Sequence, residues 1–327
     1  MNFKAYRLFQ DGTADRPEGR FVAMTEEDLS PGDVLIKNAF SSINYKDALA
    51  AAGINRIIRR FPRIGGIDVT GEVVQSSHSR FAAGDAVIVH GFGIGVDLDG
   101  GHAEYIRVSG DSVLKLPPGL DLFEAAAIGV AGYTAALSLY WMEHNGLEPG
   151  RGPVLVTGAT GGVASMAIDM LTARGYAVTA MSGKKDAADY LRKIGAAEVI
   201  APEEAASTGK PIEAARWAGA VDSVGGHVLG WVLRTARPEA VVTSFGNAAG
   251  SAFDGSVLPF ILRGVKLLGI NGNSPMPLRE IIWARIAKEY RPRHVRDIAK
   301  IISFEKLPEV MGEMLSRQTV GRNIIRF

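Results

Sequence analysis

The feature that most constrains this chain is the run Val154-Leu-Val-Thr-Gly158-Ala-Thr-Gly161-Gly162-Val-Ala164. A short apolar stretch, residues 153–157, meets a glycine-rich turn. Beyond it Val163, Met166, Ala167, Met170 and Leu171 recur at helical spacing. A strand that turns abruptly into a helix needs Gly where the turn is tightest, and backbone free of Cβ where an anion approaches. The helix N-terminus that follows offers unpaired N–H groups and a partial positive charge. The spacing here is G-x-x-G-x-x-A rather than the strict G-x-G-x-x-G, so the surroundings must decide.

Those surroundings are a strand–helix alternation. Residues 177–181 read as a second strand, and Ala187, Tyr190, Leu191 and Ile194 mark a second helix. Residues 198–200, 220–224, 240–245 and 265–270 supply further strands. Such alternation builds right-handed βαβ units and a parallel sheet with helices on both faces. The turn is therefore read as a dinucleotide-binding loop, with Ala159, Thr160, Gly161, Gly162 and Val163 against the phosphates.

The cofactor can be narrowed further. In NAD-binding proteins an acidic residue closes the second strand and accepts from the ribose 2′-hydroxyl. Here that strand ends in Ser182-Gly183-Lys184-Lys185. A hydroxyl, a glycine amide and a lysine suit a 2′-phosphate that a carboxylate would repel, so NADP(H) is expected. Lysines also sit poorly in the first turn of a helix unless an anion is near.

The flanking sequence differs in texture. Residues 1–122 are β-rich: runs at 33–40, 69–75, 86–89 and 104–108 are punctuated by Gly, Pro and Asp. A helix is expected over 123–141, interrupted at Gly129 and Gly132. The tail carries helical segments near 278–287 and 308–315 around a strand at 299–304, and ends in a strand at 322–327. The expected organisation is a β-rich domain from 1–122 and 290–327, with a Rossmann domain at 123–289.

Composition excludes several classes. Thirty-six Lys and Arg against 35 Asp and Glu give a net charge of +1, which offers no bulk attraction to nucleic acid or anionic membrane. The chain has no cysteine, so disulfides, thiolate nucleophiles and Cys-ligated zinc are excluded. No run approaches 18 uninterrupted apolar residues, and the first ten residues lack the pattern of a signal peptide. The reading is a soluble, cytoplasmic protein with a small-molecule substrate and neither nucleic-acid nor membrane partner.

Several segments resemble one family over essentially the whole length. Asn44-Tyr45-Lys46-Asp47, Ile67-Asp68-Val-Thr-Gly71, Ala83-Gly84-Asp85, Ser182-Gly183-Lys184, Trp217 through Gly225 and Leu258 through Arg263 resemble the quinone-oxidoreductase group of medium-chain dehydrogenases/reductases. Within that group they are similar to the bacterial acrylyl-CoA reductase branch. The resemblance implies a GroES-like catalytic domain beside the Rossmann domain, an α/β fold overall and commonly a homodimer. It implies NADPH-dependent reduction of a double bond conjugated to a carbonyl, acrylyl-CoA going to propionyl-CoA. Zinc-dependent relatives carry a Cys-His pair where this chain has Asn44-Tyr45, and a His-Glu pair where it has Ile67-Asp68. No metal is expected.

Conjugate reduction needs a hydride at the β-carbon, polarisation of the carbonyl and a proton at the α-carbon. Tyr45 is the candidate catalytic residue, lining the nicotinamide and relaying a proton; an aromatic with a merely satisfied hydroxyl is the alternative. Asn44 in the same loop is assigned to substrate, and Lys46 and Asp47 are read as a structural pair. Asn247, Ile270 and Ser274 follow strands whose C-terminal ends bind ligands in open α/β sheets, and are assigned to the cofactor. Arg322, in a segment that resembles the family's Gly-Arg stretch at the cofactor cleft, is assigned to the cofactor by that resemblance, with a surface arginine as the alternative. Arg56, Arg59, Arg60 and Arg63 form the densest basic cluster, with Arg59 and Arg60 set against the phosphates of a CoA thioester or else a solvated face. His90 and His102, with Asp97 and Asp99, fit no short-range metal spacing and read as part of a flexible loop. The rival readings are a quinone or general enone reductase, and a nucleotide-binding protein without turnover.

Overall fold

The computed structural model describes residues 2–10, 16–205 and 210–327. The chain forms two compact units. The first takes the chain up to Val130, Asn273–Glu280 and Ala299–Phe327; the second takes Ala131–Gly272 and Ile281–Ile298. These limits differ from the sequence-based divisions at 122/123 and 289/290. Hydrogen bonds tie the displaced segments into the first unit: Asp68 accepts from the Val130 amide at 2.9 Å, and Arg279 donates to the His90 carbonyl at 2.6 Å.

The second unit contains a six-stranded parallel sheet. Its strands lie in the order Glu198–Ile200, Val178–Met181, Val154–Val156, Trp217–Asp222, Ala236–Ser244, Lys266–Gly269. This is the doubly wound order 3-2-1-4-5-6, and its direction of winding reverses between Val154–Val156 and Trp217–Asp222. The strands are apolar on both faces because helices cover both. Leu155, Ala220 and Val242 are buried with Trp217, Trp231 and Val232.

The first unit is antiparallel except at one edge. Its larger sheet runs Ala299–Ile302, Arg322–Arg326, Val34–Ile43, Asp68–Ser76, Ala86–His90, Val113–Lys115, with Tyr105–Val108 also paired to Val34–Ile43. Arg322–Arg326 lies antiparallel to Val34–Ile43 with Asn323 opposite Ile43, and parallel to Ala299–Ile302. The tail thus supplies two strands of this sheet. A smaller sheet joins Glu18–Thr25, Asn2–Phe9 and Arg63–Ile64. Its first two strands were not anticipated, because their polar and apolar residues are too mixed to read as alternation.

The helix Leu122–His144 breaks at Gly129 (φ 47°, ψ −155°), a conformation that essentially only glycine adopts; Gly132 remains helical. By length and composition this helix suffices to cross a membrane, which the search for uninterrupted apolar runs did not register. Within the protein, 78% of its apolar window is buried, the pattern of a core helix.

Candidate functional site

In the second unit, three strands end side by side at the reversal point. Val154–Val156 runs into Thr157 and Gly158, Trp217–Asp222 ends in its carboxylate, and Ala236–Ser244 ends in a hydroxyl. Gly158 has φ +60°, and a Cβ there would lie 2.5 Å from Ser223 Oγ. Gly161 caps the helix Gly162–Ala173, whose ladder opens with Ser165 N donating to Gly161 O at 2.8 Å. The amides of Gly162, Val163 and Ala164 precede that ladder, as at any helix N-terminus. Ala159 and Thr160 are buried in the turn, and Ala159 N donates to Met181 O at 2.9 Å. The five residues picked from sequence thus form one glycine-lined turn.

Ser182, Gly183 and Lys184 follow the neighbouring strand Val178–Met181. Ser182 Oγ accepts from the Lys184 amide at 3.1 Å, folding the segment back on itself. Partial burial lowers the Lys184 ammonium pKa, against the pull of Asp186. Ile270 N donates to Ser244 O at 3.0 Å, so Ile270 lies at a strand end as expected, while Asn247 is exposed in the following turn.

The first unit holds a buried polar cluster. Tyr45 is the first residue of the helix Tyr45–Ala51 and is 43% exposed. Beneath it Asp47 is buried, its carboxylate accepting from the amides of Asn44 (2.8 Å) and Ile67 (3.1 Å). Burial pushes the Asp47 carboxyl up to about 7, Asp68 adds to the rise, and the bonds from Asn44 and Ile67 oppose it. Lys46 points to solvent, so the pairing of Lys46 with Asp47 expected from sequence does not form: successive residues at a helix start face different sides.

Arg322 fills the centre of this cluster and is 3% exposed. It donates to Ala127 O (3.1 Å), Ile43 O (3.4 Å), Asn44 Oδ1 (2.9 Å) and Ser42 Oγ, and lies 3.6 Å from Asp68 Oδ2. Ser42 Oγ donates in turn to Asp68. Burial lowers the Arg322 pKa, with Asp68 and then Asp47 opposing. The surface arginine weighed from sequence is thus an interior cation, its fork of donors taken up by the protein's own oxygens. Asn44 likewise holds Arg322 and Asp68 inside the cluster, the latter at 3.3 Å. Sequence reasoning did not single out Ser42 or Asp68 as site residues.

The basic cluster is split. Arg63 turns inward to Asp99 (3.2 Å) and Ser30 Oγ (3.1 Å), whereas Arg56, Arg59 and Arg60 stay exposed. His90 and His102 are buried rather than carried on an open loop. His90 is held well below its ordinary pKa by burial and then by Arg279, whose Nη1 lies 2.5 Å from its Nδ1. Burial alone pulls His102 down to about 3. Ser274 is buried nearby, its carbonyl accepting from Arg279 Nε at 2.8 Å. Among the described residues no group of three or more His, Cys, Asp or Glu is placed to hold a metal ion.

Comparison with known proteins agrees with the fold. Residues 30–118 match the alcohol dehydrogenase GroES-like domain, and residues 162–288 match the family described as zinc-binding dehydrogenase. The acrylyl-CoA reductase AcuI of Ruegeria pomeroyi is 37% identical over 325 residues, covering 99% of this chain and 98% of that one. Bacillus subtilis YhfP, provisionally named a quinone oxidoreductase, is 44% identical over 326 residues, 98% of this chain and 99% of its own. The crystal structure of yhfP with NAD bound superposes with a TM-score of 0.97 at 42% identity, covering all of both chains. The yhdH oxidoreductase from Salmonella enterica in complex with NADP gives 0.96 at 38% identity, again covering both chains fully. The GroES-like and Rossmann-type halves, and relatives alike over nearly their whole length, make this chain an oxidoreductase of the medium-chain dehydrogenase/reductase superfamily, in its quinone-oxidoreductase group.

Proposed function

We propose that this protein reduces a carbon–carbon double bond conjugated to a carbonyl, with NADPH as the hydride source and acrylyl-CoA as substrate. The observation that carries the reading is the glycine turn at the reversal point of the parallel sheet, closed on the neighbouring strand by Ser182-Gly183-Lys184 without a carboxylate. The turn fits a pyrophosphate: Gly158 has no room for a Cβ, and Gly162, Val163 and Ala164 hold amides outside the helical ladder. Ser182 and Lys184 suit a 2′-phosphate. NADPH, when bound, supplies the hydride to the β-carbon.

The protein's own part is orientation and the proton. Tyr45 is exposed at a helix start that Asp47 pins from below, which supports it as the group that donates or relays the proton to the α-carbon. Asn44 is spent on Arg322 and Asp68, so its support for Tyr45 is through the frame of the cluster. Arg59 and Arg60 remain exposed and are proposed to meet the phosphates of the CoA handle. A quinone as electron acceptor is the second reading, favoured by the 44% identity to YhfP.

NADPH oxidation with acrylyl-CoA, a free enone and a quinone tests these readings together. Acrylyl-CoA should be turned over best, and Tyr45→Phe should lower kcat well beyond any change in NADPH affinity. Reversing Arg59 and Arg60 to Glu should raise KM for acrylyl-CoA alone. Preference for the quinone, with KM indifferent to the arginines, would select the second reading.

The partner we propose is a second copy of the chain. Val257, Ile261 and Leu262 are about two-thirds exposed (66%, 68% and 66%) around the helix Leu258–Arg263. Arg263 fixes that helix by donating to the carbonyls of Arg234, Ala236 and Glu213. The next strand, Lys266–Gly269, is the free edge of the six-stranded sheet. A rigid apolar ridge beside an open edge supports isologous pairing.

A further inference from the structure

One buried carboxylate in the second unit has no part in the reading above. Asp222 is 0% exposed and lies where the sheet reverses its winding. Its Oδ1 accepts from Thr157 Oγ1 at 2.7 Å and from the Val224 amide at 3.2 Å. Its Oδ2 accepts from the Gly225 amide and from Ser244 Oγ, each at 3.0 Å. All four principal acceptor positions of the carboxylate are filled. The donors come from the ends of the two flanking strands and from the turn after Asp222 itself.

Those bonds lead to three turns. Thr157 precedes Gly158 and is bound twice more to Ser223, whose amide donates to Thr157 Oγ1 (3.0 Å) and whose Oγ donates to Thr157 O (2.8 Å). Ser223 Oγ is also the atom a Gly158 Cβ would strike. On the other side, Phe245 N donates to Asp222 O at 3.1 Å and Ala249 N to Val224 O at 2.8 Å. The 245–250 turn, with Asn247 in it, is packed so closely that a Cβ on Gly246 would fall 2.0 Å from Ser223 O. The residues between Asp222 and Gly225 are thus a shared wall of both turns.

We propose that Asp222 is a positioning residue that couples the glycine turn 158–162 to the turn 245–250, so that the two grips on a dinucleotide form or fail together. The assignment of both turns to NADPH rests on the proposed function; the coupling rests on the hydrogen bonds alone. Replacing Asp222 with Asn exchanges one acceptor oxygen for a donor, so no orientation of the amide satisfies all four donors.

Hydrogen exchange of the ligand-free protein and fluorescence titration with NADPH test this on wild type, Asp222→Asn, Thr157→Val and Thr157→Ser. In Asp222→Asn both turns should exchange faster while the strands stay protected, and the NADPH Kd should rise about tenfold or more, as expected for losing hydrogen bonds to a charged group. Thr157→Val should loosen both turns to a smaller extent, and Thr157→Ser, which keeps the donor, should behave as wild type. Faster exchange in one turn only, or in neither, overturns the coupling. If wild type binds no NADPH yet both turns loosen together, the cofactor reading falls and the coupling stands. Should Asp222→Asn fail to fold, Thr157→Val and Ser244→Ala carry the same comparison, and independent responses of the two turns overturn it.

Discussion

At the scale of single residues, the first unit stakes much on where it keeps protons. Asp47 is buried beside a second carboxyl and titrates near 7, well above the ordinary carboxylate value of about 3.9. The folded state therefore retains a proton that the unfolded chain gives up above about pH 4. The contribution of Asp47 to stability is complete below that pH and is lost as pH rises through 7. His102 acts in the opposite sense. Held neutral down to about 3, it contributes fully above the ordinary value of about 6.5 and loses that contribution as the pH falls. Asp47→Asn should leave a profile of urea unfolding free energy that falls less between pH 5 and 8 than the wild-type profile; parallel profiles would refute this account. Part of the cluster was legible because Asn44, Tyr45 and Asp47 are neighbours in one loop. The interior position of Arg322 was not legible, because an arginine is mostly exposed and nothing local marks an interior one. Its partners, Ser42, Asp68 and the carbonyl of Ala127, converge only in three dimensions.

At the scale of elements, the break in the helix Leu122–His144 is the instructive case. Sequence flagged Gly129 and Gly132 equally, since both weaken a helix. Only Gly129 departs from helical geometry, and the departure frees the Ala127 carbonyl for Arg322 and the Val130 amide for Asp68. A Cβ on Gly129 would lie 2.5 Å from Asp68 Oδ2 and 2.9 Å from both Arg322 Nη2 and Ser42 Oγ. Gly129→Ala should therefore cost roughly 2–4 kcal/mol of stability, combining backbone strain with overpacking. Gly175→Ala isolates the strain, because Gly175 also has positive φ (+86°) but nothing within 4 Å of its Cβ site. Equal shifts of the urea midpoint in the two variants would show that the polar cluster adds nothing. The parallel strands and the helices between them were readable from periodicity, whereas the hydrogen-bonded ends that shape the turns were not. A clue was present: Thr157, Asp222 and Ser244 stand at the ends of three adjacent strands of the sheet, and their polar side chains hydrogen-bond one another.

At the scale of the whole molecule, the composition pointed away from nucleic acid but carried no information about self-association. The ridge of Val257, Ile261 and Leu262 stands out only once the fold shows which side of a short helix faces outward. Light scattering should give the wild-type protein twice the mass of the chain, and Ile261→Glu the mass of one chain with an unchanged circular dichroism spectrum. A monomeric wild type, or a dimer indifferent to Ile261→Glu, would remove this surface as the interface. The tail differs in texture from the preceding strand–helix alternation, and its strands Ala299–Ile302 and Arg322–Arg326 lie in the larger sheet of the first unit. Where it rejoins the first unit was less legible, since Asn273–Glu280 is drawn in by Arg279 reaching His90, a contact with no local signature.

The pairing of Ile43 with Asn323 has a consequence for how the protein comes into being. These residues are 280 positions apart, yet their strands are neighbours in one sheet. At about 5–20 residues per second, a ribosome needs roughly 15–55 s to supply the second strand after the first has emerged. For that interval Val34–Ile43 exposes an unfinished edge, and Asp47 and Asp68 wait without their guanidinium. The unit that holds these buried carboxyls begins synthesis first and is sealed last, so a nascent chain stalled before Arg322 has the glycine turn 158–162 but lacks the cation that completes the first unit.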